Sequence, residues 1–366
     1  MSFVIFIALL IALIWVHELG HLFAAKAFKI RVSEFNIGFP PRLFSMQWGE
    51  TRYSFSLLLV GGYVSIYGED SQEGKGDPRS LASKNRFIQA LVIVAGVAMN
   101  LVVGWLALSG AYLVGVQAAV GQETFGTVTA PHPVVVAVLP NSPAQKVGLQ
   151  PGDTIETIQT AKVVLDARTL NTNQQSAVVT KFISDHQDES LVFTVTREHK
   201  EQNFVLRAEE GIVEGKKAVG IQMEDIGMLR LPLHLALAQG AIEAKDMTIR
   251  TAQGLGGFLG SVVQGVANWN TVAGPIGIAG VGAGAVRQGF SAAAVVLALI
   301  SINLALINLL PIPGLDGGRL LIIIIEGIIR RPVPVQFVNY LTLAGFALVV
   351  ALMIAVTYHD IARLVG

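Results

Sequence analysis

The stretch "LIWVHELGHLFAAK", residues 13–26, carries His17, Glu18 and His21 inside an apolar run. In a helix, positions 17 and 21 lie about one turn apart on the same face, so both imidazoles reach a single metal ion. The spacing H-E-x-x-H is that of a zinc site in which the glutamate serves as general base. A catalytic zinc takes three protein ligands and keeps one position open. It lowers the pKa of water toward neutrality and stabilises a developing oxyanion. Glu18 would take the proton from that water and pass it to the leaving amine. The same pattern arises by chance in soluble helices. Here, however, three ionisable groups sit in an apolar segment, where each costs about 2–3 kcal/mol on insertion scales. Packing alone does not account for that cost.

A third ligand is required. The chain contains no Cys, so it must be His, Asp or Glu. The five other histidines (His132, His186, His199, His234 and His359) fall in a long polar segment or near the chain's end. A better candidate is Asp316 in "NLLPIPGLDGGRL", residues 308–320, directly after an apolar stretch. Pro311 and Pro313 end a helix there, and Gly314, Gly317 and Gly318 let the backbone turn back. Irregular backbone at membrane depth is tolerated only where it lines a cavity in the protein. That is where a metal ligand would sit.

The elements that must position these groups are membrane spans. Of 366 residues, 52% are hydrophobic and 14% charged, against roughly 25% charged in a soluble domain. The mean hydropathy is +0.58. The formal net charge is zero, so no global field points to nucleic acid. Four stretches have the roughly 20 apolar residues a span needs: about 2–28, 87–114, 291–310 and 337–357. The first has no basic residue before it and no evident cleavage site, so it reads as a retained helix. The loop from Lys26 to Arg86 carries nine basic residues, and Arg319, Arg330 and Arg331 follow the third span. The positive-inside rule makes that side cytoplasmic and puts the segment from about 115 to 290 outside.

The expected fold is therefore a polytopic α-helical membrane protein with four transmembrane helices, a membrane-associated β-hairpin and one external α+β domain. Residues 1–114 form an N-terminal membrane half, 115–210 the external domain, 211–290 a linker and 291–366 a C-terminal membrane half. Residues 52–64, "RYSFSLLLVGGYV", read as a strand, part of a β-loop at about 52–67 that either re-enters the membrane or packs at its surface. The alternating apolar and polar positions of 232–263 suit an amphipathic helix or a plain linker helix.

These motifs resemble the site-2 protease family of intramembrane zinc metalloproteases. "HELGH" (17–21) matches its H-E-x-x-H, and "NLLPIPGLDGG" (308–318) matches its N-x-x-P-x-x-x-L-D-G motif. The resemblance implies that His17, His21 and Asp316 bind Zn²⁺, that Glu18 is the catalytic base and that Asn308 helps position the substrate backbone. "LVGGYVSIYGED" (59–70) is similar to the family's membrane-associated β-loop, and "AGPIGIAGVG" (273–282) to a segment before its third span. "AGVAMN" (95–100) resembles its G-P-x-x-N stretch, with Val97 where proline is usual. In the external segment, "VLPNSPAQKVGLQPGDTIETI" (138–158) is similar to a PDZ signature. There Ser142 caps a helix, Gly148 ends it, and Gly152-Asp153 turn into a strand.

The resemblance implies an enzyme that cuts single-pass transmembrane substrates, such as trimmed anti-sigma factors or remnant signal peptides, in regulated intramembrane proteolysis. It implies contact with membrane lipid and an inner-membrane location with the PDZ-like domain on the external or periplasmic side. The strand at 52–64 would bind an unwound substrate by β-addition, with Phe55 and Leu57 as substrate-binding residues. The alternative is a membrane zinc carrier or scaffold, which has no need of a base such as Glu18.

Overall fold

A computed structural model describes residues 1–69, 74, 76–170, 173–197, 200–213, 216–266, 274–331 and 333–365. Lys75 of the basic loop, Asp70, His199 and Ala273 lie outside the described residues. The chain divides into two compact units, Met1–Ala111 with Ala236–Gly366, and Tyr112–Leu235.

The first unit is built on helices that match the four expected spans: α1 (Ser2–Ala27), α2 (Arg86–Val114), α7 (Phe290–Asn308) and α9 (Val335–Val365). Each is long and apolar enough to cross a bilayer. Without a hydrophobic force between helices in lipid, close approach depends on small residues. α2 presents two of them eight apart on one face. Gly96 lies against the His17 and His21 rings, and Gly104 against Ile302 and Ala298 of α7. A Cβ on Gly20 of α1 would stand 2.4 Å from the Ala95 carbonyl oxygen of α2.

Between α1 and α2 lies a β-hairpin of β1 (Val32–Trp48) and β2 (Thr51–Ile66). The ladder folds back on itself. Residues 34–37 pair with 62–65 on one side and with 52–55 on the other, and 52–55 also pair with 44–47. The inward polar residues satisfy one another. Ser56 Oγ donates to Asn36 Oδ1 at 3.1 Å and Asn36 Nδ2 to the Gly38 carbonyl at 2.7 Å. Leu22, Ala25, Ile30, Val32, Phe35, Ile66, Leu81 and Val92 form one apolar cluster, which fixes the hairpin on α1 and α2.

The second unit is an α+β domain. It contains β3 (Val116–Ala119), β4 (Thr129–Val138), α3 (Pro143–Val147), β5 (Thr154–Gln159), β6 (Val164–Asp166), α4 (Gln175–Asp185), β7 (Leu191–Arg197) and β8 (Lys200–Leu206). A separate ribbon, β9 (Glu209–Val213) with β10 (Lys216–Ala218), precedes β11 (Ile221–Leu229). The main sheet runs β3-β11-β4-β5-β7-β8, with β6 beside β5. The "SPA" and "GD" residues act as the sequence suggested. Ser142 Oγ accepts from Gln145 N at 3.2 Å, and Gly148 ends α3 at φ +89°. Asp153, fully buried, takes a bidentate pair from Arg197 Nε and Nη2 at 2.6 Å each. The domain does not stop at 210. β11 falls in the stretch assigned to a linker, yet it pairs with both β3 and β4. After β11, the described part of that stretch holds two helices, α5 (Leu233–Val263) and α6 (Pro275–Gln288).

Candidate metal centre

His17 and His21 are buried on one face of α1, with ring centroids 4.9 Å apart. The space for them comes from α2. A Cβ on Gly96 would stand 2.4 Å from His21 Nε2 and 2.8 Å from His17 Cε1. His21 Nδ1 donates to the Val92 carbonyl at 2.9 Å. A carbonyl can only accept, so this bond leaves the lone pair on Nε2 to face the centre.

Asp316 opens α8 (Asp316–Ile329). It reaches the centre because the turn between α7 and α8 is tight. Gly314 takes φ +97°. A Cβ on Gly317 would stand 2.2 Å from the carbonyl oxygens of Leu309 and Leu310, and one on Gly318 2.3 Å from that of Ile312. Only glycine allows this backbone approach. Two ion pairs hold α8 in place: Arg86 of α2 with Glu326 at 2.7 Å, and Arg319 with Glu69 just after β2. A cavity of about 370 Å³ adjoins Asp316, lined also by Glu69, Arg86, Gln89, Arg319 and Glu326.

Three donor atoms from distant parts of the chain thus converge. Asp316 Oδ2 lies 3.0 Å from His17 Nε2 and 3.3 Å from His21 Nε2, and the two nitrogens are 3.3 Å apart. Zinc bonds of about 2.0–2.1 Å in a tetrahedron set ligand atoms about 3.3 Å from one another. The observed triangle has that size, and the donor set, two imidazoles and a carboxylate, suits zinc. Among the described residues this is the group of His, Asp and Glu side chains whose ligand atoms could hold one ion.

Glu18 is half-buried beside the centre, with its Cγ 3.5 Å from where a Cβ of Gly62 would stand. Asn308 ends α7 with its Nδ2 3.4 Å from His17 Nε2. Phe55 and Leu57 are not part of this group. The Phe55 ring meets Trp15 of α1 edge-on at 6.3 Å, and Leu57 is exposed. Phe55 is moreover flanked by Ile37 and Phe44, so its backbone is in the sheet's interior and offers no edge. The strand that runs past Glu18 is the 62–66 end of β2. Gly96, Asn100 and Gly62 were not singled out from sequence as site residues. The four-residue spacing of Gly96, Asn100 and Gly104 inside an apolar span was the available signal.

Four helices apolar enough to span a membrane and three converging ligand atoms are the features of a membrane protein with a candidate metal centre. The chain belongs to peptidase family M50, the zinc-dependent site-2 protease family, whose model matches residues 5–352. Curated relatives agree over nearly the full length. A protein of Clostridium perfringens is 31% identical over 96% of this chain and 95% of its own. One of Nostoc sp. is 31% identical over 100% and 97%, and one of Synechocystis sp. 32% over 97% and 93%. All three carry the name "putative zinc metalloprotease".

Proposed function

We propose that this chain is an intramembrane zinc endopeptidase, and that His17, His21 and Asp316 hold its metal. The observation that carries the reading is the triangle of three ligand atoms set among apolar helices, with Glu18 adjoining it. When bound, zinc would supply the electrophile that activates water and polarises the scissile carbonyl. Glu18 would accept the proton of the attacking water and deliver it to the leaving nitrogen. The Asn308 amide, 3.4 Å from His17 Nε2, would orient the substrate backbone. A separate carboxylate beside a complete ligand set favours an enzyme over a zinc carrier.

The substrate class follows from the setting. A peptide bond inside a helix is hidden, so a transmembrane segment must be extended before it is cut. Residues 62–66 offer a place for this, since β1 covers one side of them and Glu18 lies by Gly62. Single-pass proteins already trimmed outside, such as anti-sigma factors or remnant signal peptides, suit regulated intramembrane proteolysis in a bacterial inner membrane. The second unit is then a PDZ-like domain on the external side.

The test is incubation of the purified protein in detergent with candidate transmembrane peptides, with and without a zinc chelator. Cleavage should require zinc, and Glu18→Gln should abolish it while zinc stays bound. Zinc-bound protein that cuts no transmembrane peptide would overturn the reading. Cysteine at Tyr63 should form a disulfide with a cysteine-bearing substrate peptide; its failure would refute the edge assignment. For orientation, a cysteine at Lys162 should react with an impermeant thiol reagent in intact cells, and one at Lys84 or Arg331 should not.

A further inference from the structure

The two histidines are not oriented alike. His21 is fixed by a backbone carbonyl, but the ring nitrogen of His17 that faces away from the centre, Nδ1, meets a side chain. The Asn100 amide stands 3.2 Å from it, and Asn100 is completely buried. Nδ2 is the nearer amide atom, and the amide oxygen Oδ1 is buried with no partner. A buried unpaired oxygen is costly, and the oxygen and nitrogen of an amide are exchanged by a half-turn of the side chain. With Nδ2 toward His17, Nδ1 must accept, which puts the ring proton on Nε2, where the other two ligand atoms converge. With Oδ1 toward His17, Nδ1 donates and Nε2 keeps its lone pair for a metal. The second arrangement gives the oxygen its partner and makes His17 match His21.

From this geometry we infer that Asn100 is a positioning residue: its amide oxygen accepts from His17 Nδ1 and so presents His17 Nε2 to the metal. The inference rests on the ligand set proposed above. The position of Asn100 is itself secured by a third span. Ser301 of α7, also fully buried, donates its hydroxyl to the Asn100 backbone carbonyl at 2.7 Å. One turn before Asn100, Gly96 leaves room for both rings. The α2 face at 96 and 100 thus makes space for the imidazoles and then sets the direction of one of them. α1 holds the ligand, α2 orients it, and α7 steadies the residue that orients it. Partners of this kind, behind a metal-bound histidine, are commonly worth 10- to 100-fold in metal affinity.

The experiment measures zinc affinity of the full-length protein in detergent by competition with a chromogenic chelator, using zinc alone as the probe. Asn100→Leu removes the acceptor at similar volume and should weaken zinc binding about 10- to 100-fold. Asn100→Asp keeps an acceptor in the same place and should bind zinc within a few-fold of the unmodified chain. This rescue is what a merely structural role would not give. If Asn100→Leu fails to fold, Asn100→Ala removes the same group without added bulk and should show the same loss. The cobalt-substituted protein gives a second readout, because its visible spectrum should change with Asn100→Leu and not with Asn100→Asp. Equal zinc affinity in the leucine or alanine variant overturns the inference, as does an aspartate variant as weak as the leucine one. If the unmodified chain binds no zinc, the ligand assignment itself fails. If it binds zinc and Asn100→Leu has no effect, only the role of Asn100 fails.

Discussion

His17 and Asp316 are 299 residues apart in the chain, and their Nε2 and Oδ2 atoms are 3.0 Å apart in the fold. A buried imidazole and a half-buried carboxylate are brought to this distance among apolar helices at a cost in desolvation. The fold invests glycines at Gly96, Gly317 and Gly318 to bring them together. A metal ion held between them and His21, as proposed above, would offset that cost.

Asp316→Asn should therefore lower zinc content sharply, because it replaces an anionic ligand oxygen with a neutral amide. His132→Ala and His186→Ala should leave it at the level of the unmodified chain. The check is metal analysis of purified protein after dialysis. Unchanged zinc in Asp316→Asn would remove that residue from the ligand set.

Gly317→Ala should act on the metal without touching a ligand. Its Cβ would stand 2.2 Å from two carbonyl oxygens of the turn, so the start of α8 must move and carry Asp316 with it. Loss of zinc binding with helical content preserved, followed by circular dichroism and metal analysis, is expected. An alanine variant with full zinc content would mean that the turn is softer than its geometry implies.

Much of the centre was legible because its residues are out of place. Charged or imidazole groups in an apolar run stand out, and the glycines and prolines around Asp316 mark a broken helix. Asn100 gave a fainter signal, a four-residue spacing from Gly96 and Gly104 in a stretch that resembles the family's G-P-x-x-N. Its role depends on facing one ring nitrogen across a helix interface, which no spacing along the chain encodes. β1 was hidden because Gly38, Pro40 and Pro41 interrupt the alternation that marks a strand. β11 was hidden because its partners, β3 and β4, lie far away in sequence. With β2 read alone, its whole length offered an edge to substrate. Once β1 is present, residues 52–55 lie inside the sheet and the edge shifts to 62–66.

In the second unit, the buried Asp153 should be a point of weakness. Asp153→Asn breaks a two-pronged pair with Arg197 by removing its buried carboxylate. Removing one partner of such a pair costs about 3 kcal/mol. The variant should lose the domain's protection against limited proteolysis at a lower temperature than the unmodified chain. Removing the exposed Asp166–Arg168 pair with Arg168→Ala should leave that temperature unchanged. Equal protection in Asp153→Asn and the unmodified chain would contradict the buried-pair argument.

The last prediction joins the corrected domain boundary to its role. A deletion of residues 121–210 would remove β4, β5, β7 and β8 but leave β11 behind with only the short β3 beside it. Its apolar face would then be exposed, and poor expression would say nothing about function. The deletion that respects the fold runs from 116 to 229, replaced by a short flexible linker. Zinc content should not change, because His17, His21 and Asp316 all belong to the other unit. If the domain excludes substrates with bulky external portions, this variant should cut untrimmed and trimmed substrates at similar rates, whereas the full chain cuts only the trimmed ones. Paired assays on the two substrate forms measure this directly. If the deletion still spares untrimmed substrates while cutting trimmed ones, exclusion by size is wrong. A loss of cleavage for both forms at full zinc content would instead mean that the domain helps to recruit the substrate.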